Sequence, residues 1–191
     1  MRDIIRMVVV LTLICAASGF ALAVVHDFTK EPIEYSRLKY VKEPAVKAVL
    51  KGYDNDPIKD RISIVIGKDR YGRPVKLIIF PAKKAGKIFA VAFETSGKGY
   101  HGDIGVMVGI DVKHNKLTGI AIVSHSETPG LGARIVEKSF TGSFKGKSLA
   151  KELTTSDINA LSGATFSTKG VLAAVNKARA IFKRYHAQIV R

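Results

Sequence analysis

The chain has 191 residues and a single cysteine, Cys15. That length suits about one domain with its own core, and one cysteine excludes an intramolecular disulfide and a cysteine-based metal centre. The 31 basic and 16 acidic residues give a formal charge of +15, yet no zinc-finger spacing, basic-region heptad or aromatic RNA-binding strand accompanies them, which argues against nucleic acid.

Lys and Arg are spread along the chain. Most of them read as a solvated basic face, and the excess charge suits anionic lipid, acidic partner subunits or an anionic cofactor. The five histidines, at positions 26, 101, 114, 125 and 186, lack metal-ligand spacing and read as loop or solvent residues.

The first predicted element is apolar. Met7 to Val25 is 19 residues without a charge, nearly a bilayer core at ~1.5 Å per residue. Arg2 and Arg6 precede it and favour an N-terminus inside the cell, while Lys30, Arg37, Lys39 and Lys42 beyond it weaken that bias. Ala21-Leu22-Ala23 also fits a signal-peptide cleavage pattern. The length of the run favours an uncleaved anchor, and Thr12-Leu13-Ile14-Cys15 does not read as a lipoprotein box. The expected organisation is an anchor over residues 1–27, a helical linker over 28–60 and a globular domain over 61–191.

Residues 31–50 are predicted helical, starting near Pro32. Ile33, Leu38, Val41, Val46 and Leu50 form an imperfect apolar stripe, with Pro44 expected to break or kink it. Strands are predicted at 62–66, 75–80 and 88–93, with the basic segment 81–86 as a loop. A hairpin follows, with strands at 105–111 and 117–123. The segment Gly97-Lys98-Gly99-Tyr100-His101-Gly102 contains a G-x-G-x-x-G spacing. It precedes a strand and does not open a helix, so it is no dinucleotide fingerprint. A short helix starts within 132–138, 140–146 is a loop, and Leu153-Thr154 is ambiguous with strand character. The last helix is predicted from about Thr168 to His186, because Val171, Val175, Ala178, Phe182 and Tyr185 recur at helical spacing. The expected class is α+β: a mainly antiparallel sheet with flanking helices, preceded by one N-terminal transmembrane helix.

Two polar stretches carry the candidate chemistry. In Ser162-Gly163-Ala164-Thr165-Phe166-Ser167-Thr168-Lys169-Gly170, Ser167 or Thr168 fits a helix N-cap. Small residues there let the backbone approach a ligand. Free N–H groups and the helix dipole favour a phosphate, and Lys169 adds a cation that a bound anion would balance. Ser162, Gly163, Ala164, Ser167, Thr168 and Lys169 are therefore candidate phosphate or chain contacts. The second stretch, Ser126-Glu127-Thr128-Pro129-Gly130-Leu131-Gly132-Ala133-Arg134-Ile135, follows a strand exit. Its Pro129–Gly132 turn has little bulk, so a ligand can lie against it. Glu127 and Thr128 offer hydrogen bonds, Leu131 offers a packing face, and Gly132 leaves room. Arg134 is an alternative partner for Glu127. Tyr100 is able to stack on a ring but fits loop packing better. Without a ligand, the two stretches read as a capped loop and a strand-exit turn.

Together the two stretches resemble the FMN-binding domain found in the G subunit of the Rnf electron-transport complex, a domain shared with the C subunit of the sodium-pumping NADH:quinone reductase. The resemblance covers roughly residues 88–185 firmly and the anchor loosely. It implies that Thr165, which ends the Ser/Thr-Gly-Ala-Thr motif, carries FMN as a phosphoester, with the flat isoalloxazine ring on the side of Glu127, Thr128, Leu131 and Gly132. Where the family pattern has Asp six residues before the acceptor, this chain has Asn159, and its nearest acid is Asp157. That departure bears on the efficiency of attachment. A hydroxyl needs activation to act as a nucleophile, and no base lies near in sequence, so a separate flavin transferase is the expected maturation partner.

The resemblance further implies electron relay within an ion-translocating ferredoxin:NAD oxidoreductase. The other membrane and redox subunits of that complex are the expected partners. The location implied is a bacterial or archaeal-type inner membrane, single-pass, with the domain extracytoplasmic on the periplasmic side. No iron–sulfur cysteine set, metal site, catalytic residue or nicotinamide site is expected, so the chain alone is not expected to oxidise NADH. Three rivals stand beside this reading: the quinone reductase component, a stand-alone anchored flavoprotein reductase, and a basic binding module without cofactor.

Overall fold

The computed structural model describes residues 1–190, in two units: Met1–Val41, and a second that begins at Lys42. Helix α1 (Arg2–Arg37) contains a stretch long and apolar enough to cross a membrane, and no residue in it is buried by protein. Pro32 lies inside α1 and does not open a separate helix. The break expected at Pro44 takes the form of a widened, π-helical turn, Leu38–Lys42, followed directly by α2 (Glu43–Val49). A proline ring collides with the carbonyl four residues back, and a wider turn moves that carbonyl aside.

Five strands follow: β1 (Ile62–Lys68), β2 (Pro74–Lys84), β3 (Lys87–Lys98), β4 (Asp103–Asp111) and β5 (Lys116–Ser124). They form one antiparallel meander in sequence order. Alternation along the strands gives the sheet two different faces. Leu77, Ile79, Val91, Phe93, Val106, Val108 and Ile110 join the main core with the buried stripe of α4 (Thr165–Ile189). The opposite face is built of small residues, Ala82, Ala90, Ala92 and Gly109, together with Phe80 and Met107. Helix α2 lies there. A Cβ on Gly109 would stand 2.9 Å from the Val49 Cβ, and the Thr118 hydroxyl donates to Val49 O at 2.6 Å. The chain is therefore α+β, as its patterning predicted.

Segment 81–86, expected as a loop, is mostly strand: β2 continues to Lys84. Proline is tolerated in a strand where its missing donor faces no ladder. The β1 pairing stops at Ile79. Beyond it, Asn55 covers the edge, donating from Nδ2 to Pro81 O at 3.0 Å and accepting from Lys83 N at 2.8 Å. Leu153-Thr154 is not a strand. Thr154 caps a 3-10 turn (Thr155–Asp157) reciprocally with Asp157, the arrangement of a capping box. The expected short helix near 132–138 is split into a 3-10 turn, Gly132–Val136, and α3, Lys138–Thr141.

Candidate functional site

Helix α4 starts at Thr165, three residues earlier than its apolar stripe indicates, with Ala164 at the N-cap position and no side-chain cap. Ser167 and Thr168, the expected caps, lie inside its first turn. The reason is the turn before it. Ala164 N–H donates to Leu161 O at 3.2 Å, and Gly163 has φ +76°, a left-handed conformation that glycine adopts without a Cβ penalty. The same construction occurs at the strand exit. Leu131 N–H donates to Thr128 O at 3.2 Å, with Pro129 second and Gly130 (φ +75°) third in the turn. The two turns lie side by side: a Cβ on Gly163 would be 3.7 Å from Leu131 Cδ2.

Glu127 binds these pieces together. It is 5% exposed. Its Oε1 accepts from the Tyr100 and His101 N–H groups at 3.0 Å each, and its Oε2 accepts from the Ser167 hydroxyl. Burial raises the carboxyl pKa, but the Ser167 hydroxyl and the His101 and Tyr100 N–H groups outweigh it, so the group is held below its ordinary value. Arg134 does not pair with Glu127. Its Nε lies 3.1 Å from Glu137 Oε1.

Glycines make the approach possible. A Cβ on Gly97 would run into Gly170 O. One on Gly170 would be 2.8 Å from Lys98 O, one on Gly99 2.6 Å from Glu127 Oε1, and one on Gly132 2.8 Å from Glu127 Oε2. Gly97 and Gly99 are thus packing devices, against Gly170 in the second turn of α4 and against Glu127.

The candidates sort by where their side chains go. Ser167 and Thr168 are buried. Ser167 serves Glu127, and the Thr168 hydroxyl accepts from Leu161 N–H at 3.4 Å. Ala164 and Gly132 are buried, while Ser162, Gly163, Thr165, Lys169, Thr128 and Leu131 are all open to solvent. Thr128 Oγ1 lies 3.3 Å from His101 Nδ1. Asn159 is exposed and donates from Nδ2 to Ser139 O at 3.3 Å. The first three N–H groups of α4, those of Thr165, Phe166 and Ser167, have no helical acceptor, as at any helix start. An exposed hydroxyl beside unpaired donors, a lysine in the same turn and an open glycine turn fits a phosphate group chemically.

Sequence reasoning missed Gly97, Gly99 and Gly170 as packing residues, and it gave Glu127 a ligand or Arg134 as partner where the fold gives it Tyr100, His101 and Ser167. The signal in the sequence was the glycines themselves, at 97, 99 and 170. Only their pairing in space was hidden.

Comparison with known proteins points the same way. The FMN-binding domain family matches residues 99–180. The G subunit of a proton-translocating ferredoxin:NAD(+) oxidoreductase complex from Clostridium ljungdahlii is 32% identical, over 88% of this chain and 85% of its own length. The G subunit of an ion-translocating oxidoreductase complex from Methanosarcina acetivorans is 27% identical, over 93% of each. In fold, the chain is similar to the solved NqrC of Shewanella oneidensis, with a TM-score of 0.54 and 24% identity over 71% of this chain and 74% of that one.

Proposed function

The chain belongs to the G-subunit family of ion-translocating oxidoreductase complexes, and on that premise we propose that it is a membrane-anchored flavoprotein that relays electrons within an Rnf-type complex, with FMN joined through its phosphate to Thr165. The observation that carries the reading is the exposed Thr165 hydroxyl at the uncapped start of α4, inside the matched FMN-binding domain. The N–H groups of the first turn, with Ser162, Gly163 and Lys169, hold the phosphate. Ala164 shapes the turn. Thr128, Leu131 and Gly132 flank the ring side. Glu127, Ser167 and Thr168 act from beneath, keeping the backbone of both turns in register. When bound, FMN supplies the redox chemistry; the protein supplies position and environment.

Attachment requires an activated phosphorus, because an alcohol and a free phosphate do not condense in water unaided. A flavin dinucleotide is the donor class that balances: Thr165 Oγ bonds to the flavin-side phosphorus, the anhydride bond breaks, nucleoside monophosphate leaves, and the hydroxyl proton passes to a base of the transferase. Helix α1 anchors the chain, with the domain on the extracytoplasmic side.

Coexpression with an active flavin transferase tests the reading. The wild-type band is fluorescent on a denaturing gel and heavier by one esterified FMN, Thr165→Ala is dark, and Thr165→Ser retains part of the signal. A fluorescent Thr165→Ala band refutes the assignment. A reporter fused after the last residue should be active only outside the cytoplasm. The rival, the C subunit of a sodium-pumping quinone reductase, has a fold likeness in its favour. The alignment over 85% of a G-subunit relative favours the first reading.

A further inference from the structure

Two aromatic rings beside Thr165 are left uncovered by the protein. Phe166 is 66% exposed and Tyr100 67%. Their centroids are 6.0 Å apart with planes tilted by 49°, and Tyr100 meets His101 edge-on at 4.8 Å. Single exposed apolar side chains are ordinary, whereas a contiguous group of them marks a contact surface.

The backbones that carry the rings are both pinned. Glu127 accepts from the N–H of Tyr100 itself and from the hydroxyl of Ser167, the residue after Phe166. Gly97 and Gly170 bring the same two segments into backbone contact beneath them. The carboxylate therefore acts as a clasp that fixes the spacing of the two backbone segments that carry the exposed rings before any ligand arrives. Such pre-organisation favours a flat aromatic occupant, because little order is lost on binding. Leu131, 53% exposed, adds an apolar edge across the Gly163 turn.

We propose that Tyr100 and Phe166 form the seat of the isoalloxazine ring, with the phenol of Tyr100 stacked on it and Phe166, next to the attachment residue, bracing its benzenoid end. This rests on the reading of Thr165 as the FMN acceptor. Both rings lie within the matched FMN-binding region, and Phe166 follows the tether point directly. The ring faces of the pair suit a planar conjugated system by offset stacking. Glu127 is a positioning residue here, acting through Tyr100 and Ser167.

A phenol in contact with a flavin quenches its emission, because the excited ring takes an electron from the phenol and returns it. The full chain should be matured with the transferase as wild type, Tyr100→Leu, Phe166→Leu and the double variant. Flavin content is matched by absorbance after unfolding, and folding is checked by circular dichroism. The wild type should emit at least several-fold less when folded than when unfolded. Tyr100→Leu should recover most of that emission, and Phe166→Leu should make the ring more accessible to iodide. Folded emission and iodide access equal to wild type in all variants would overturn the seat. The same holds if the variants leave emission unchanged but lose copurifying membrane subunits, since the rings would then be a protein-docking patch.

Absence of attached flavin from the wild type would instead strike the Thr165 reading. The seat is then decided by titrating riboflavin, which has no phosphate, into Thr165→Ala. Quenching that Tyr100→Leu removes supports it, and no quenching overturns it.

Discussion

Helices α1 and α4 are both long and both rich in apolar residues, but they meet opposite surroundings. None of the 36 residues of α1 is buried, whereas α4 buries one stripe, from Ser167 and Val171 through Ala178 and Phe182 to Ile189. In α1 the apolar residues run around the whole helix, as expected where the solvent is lipid. In α4 they recur every three or four residues, because only one side has protein to pack against. The same hydrophobic effect, applied to two patterns, makes one helix a candidate membrane span and the other the cover of a protein core.

The difference can be broken most completely by removing residues 1–41. The truncated chain should move from the membrane pellet to the supernatant, while its domain keeps a cooperative melt within a few degrees of the full chain. Loss of the melt would mean that α1 contributes to the domain. Next in size is a matched pair of phenylalanines. Phe182 is 3% exposed and Phe20 72%. Phe182→Ala should cost the domain about 3–5 kcal/mol, and Phe20→Ala nothing measurable in a domain melt.

A pair of helical glycines sharpens the contrast. Gly19 has nothing within 4 Å of a built Cβ, whereas Gly170 faces Lys98 O at 2.8 Å. Gly19→Ala should leave the domain melt unchanged. Gly170→Ala should destabilise by about 2–3 kcal/mol despite the better helix propensity of alanine, read as a drop in Tm of roughly 4–12 °C.

The smallest effect concerns the clasp under α4. Glu127→Gln keeps the shape but weakens charge-assisted bonds, at about 1–3 kcal/mol near neutral pH. Because the Glu127 pKa is depressed in the fold, its contribution is present above the ordinary carboxylate value and is lost as pH falls through the depressed one. Melts from pH 7 to about pH 3 should therefore show the gap between wild type and Glu127→Gln closing on the acid side. A gap that stays constant over that range would refute the ionised clasp.

Much of this architecture was legible from local pattern. The charge-free run from Met7 to Val25, the alternating strands and the Val171–Phe182 stripe each obey a periodicity that burial imposes on neighbouring residues. The turn at Pro129-Gly130 was also readable, because proline and glycine encode their own dihedrals. Elements held by distant partners were harder. Pro81 sits in a strand because Asn55, 26 residues earlier, satisfies the edge. Segment 149–153 has no repeating pattern, and side chains of α4 fix it: Asn176 bonds both Leu153 N and O at 2.9 Å, and Arg179 Nε bonds Leu149 O at 2.9 Å.

The amino-acid order by itself determined that the chain has a long apolar helix, an antiparallel sheet and two glycine-bearing polar turns, since propensity, period and turn chemistry act over a few residues. Tertiary structure alone decided that Glu127 turns inward, that Ser167 and Thr168 use their hydroxyls inside the protein, and that Tyr100 and Phe166 share one surface. Those outcomes depend on which backbones come within van der Waals reach of one another. Gly97 and Gly170, 73 residues apart in the chain and in contact in the fold, are where that was settled.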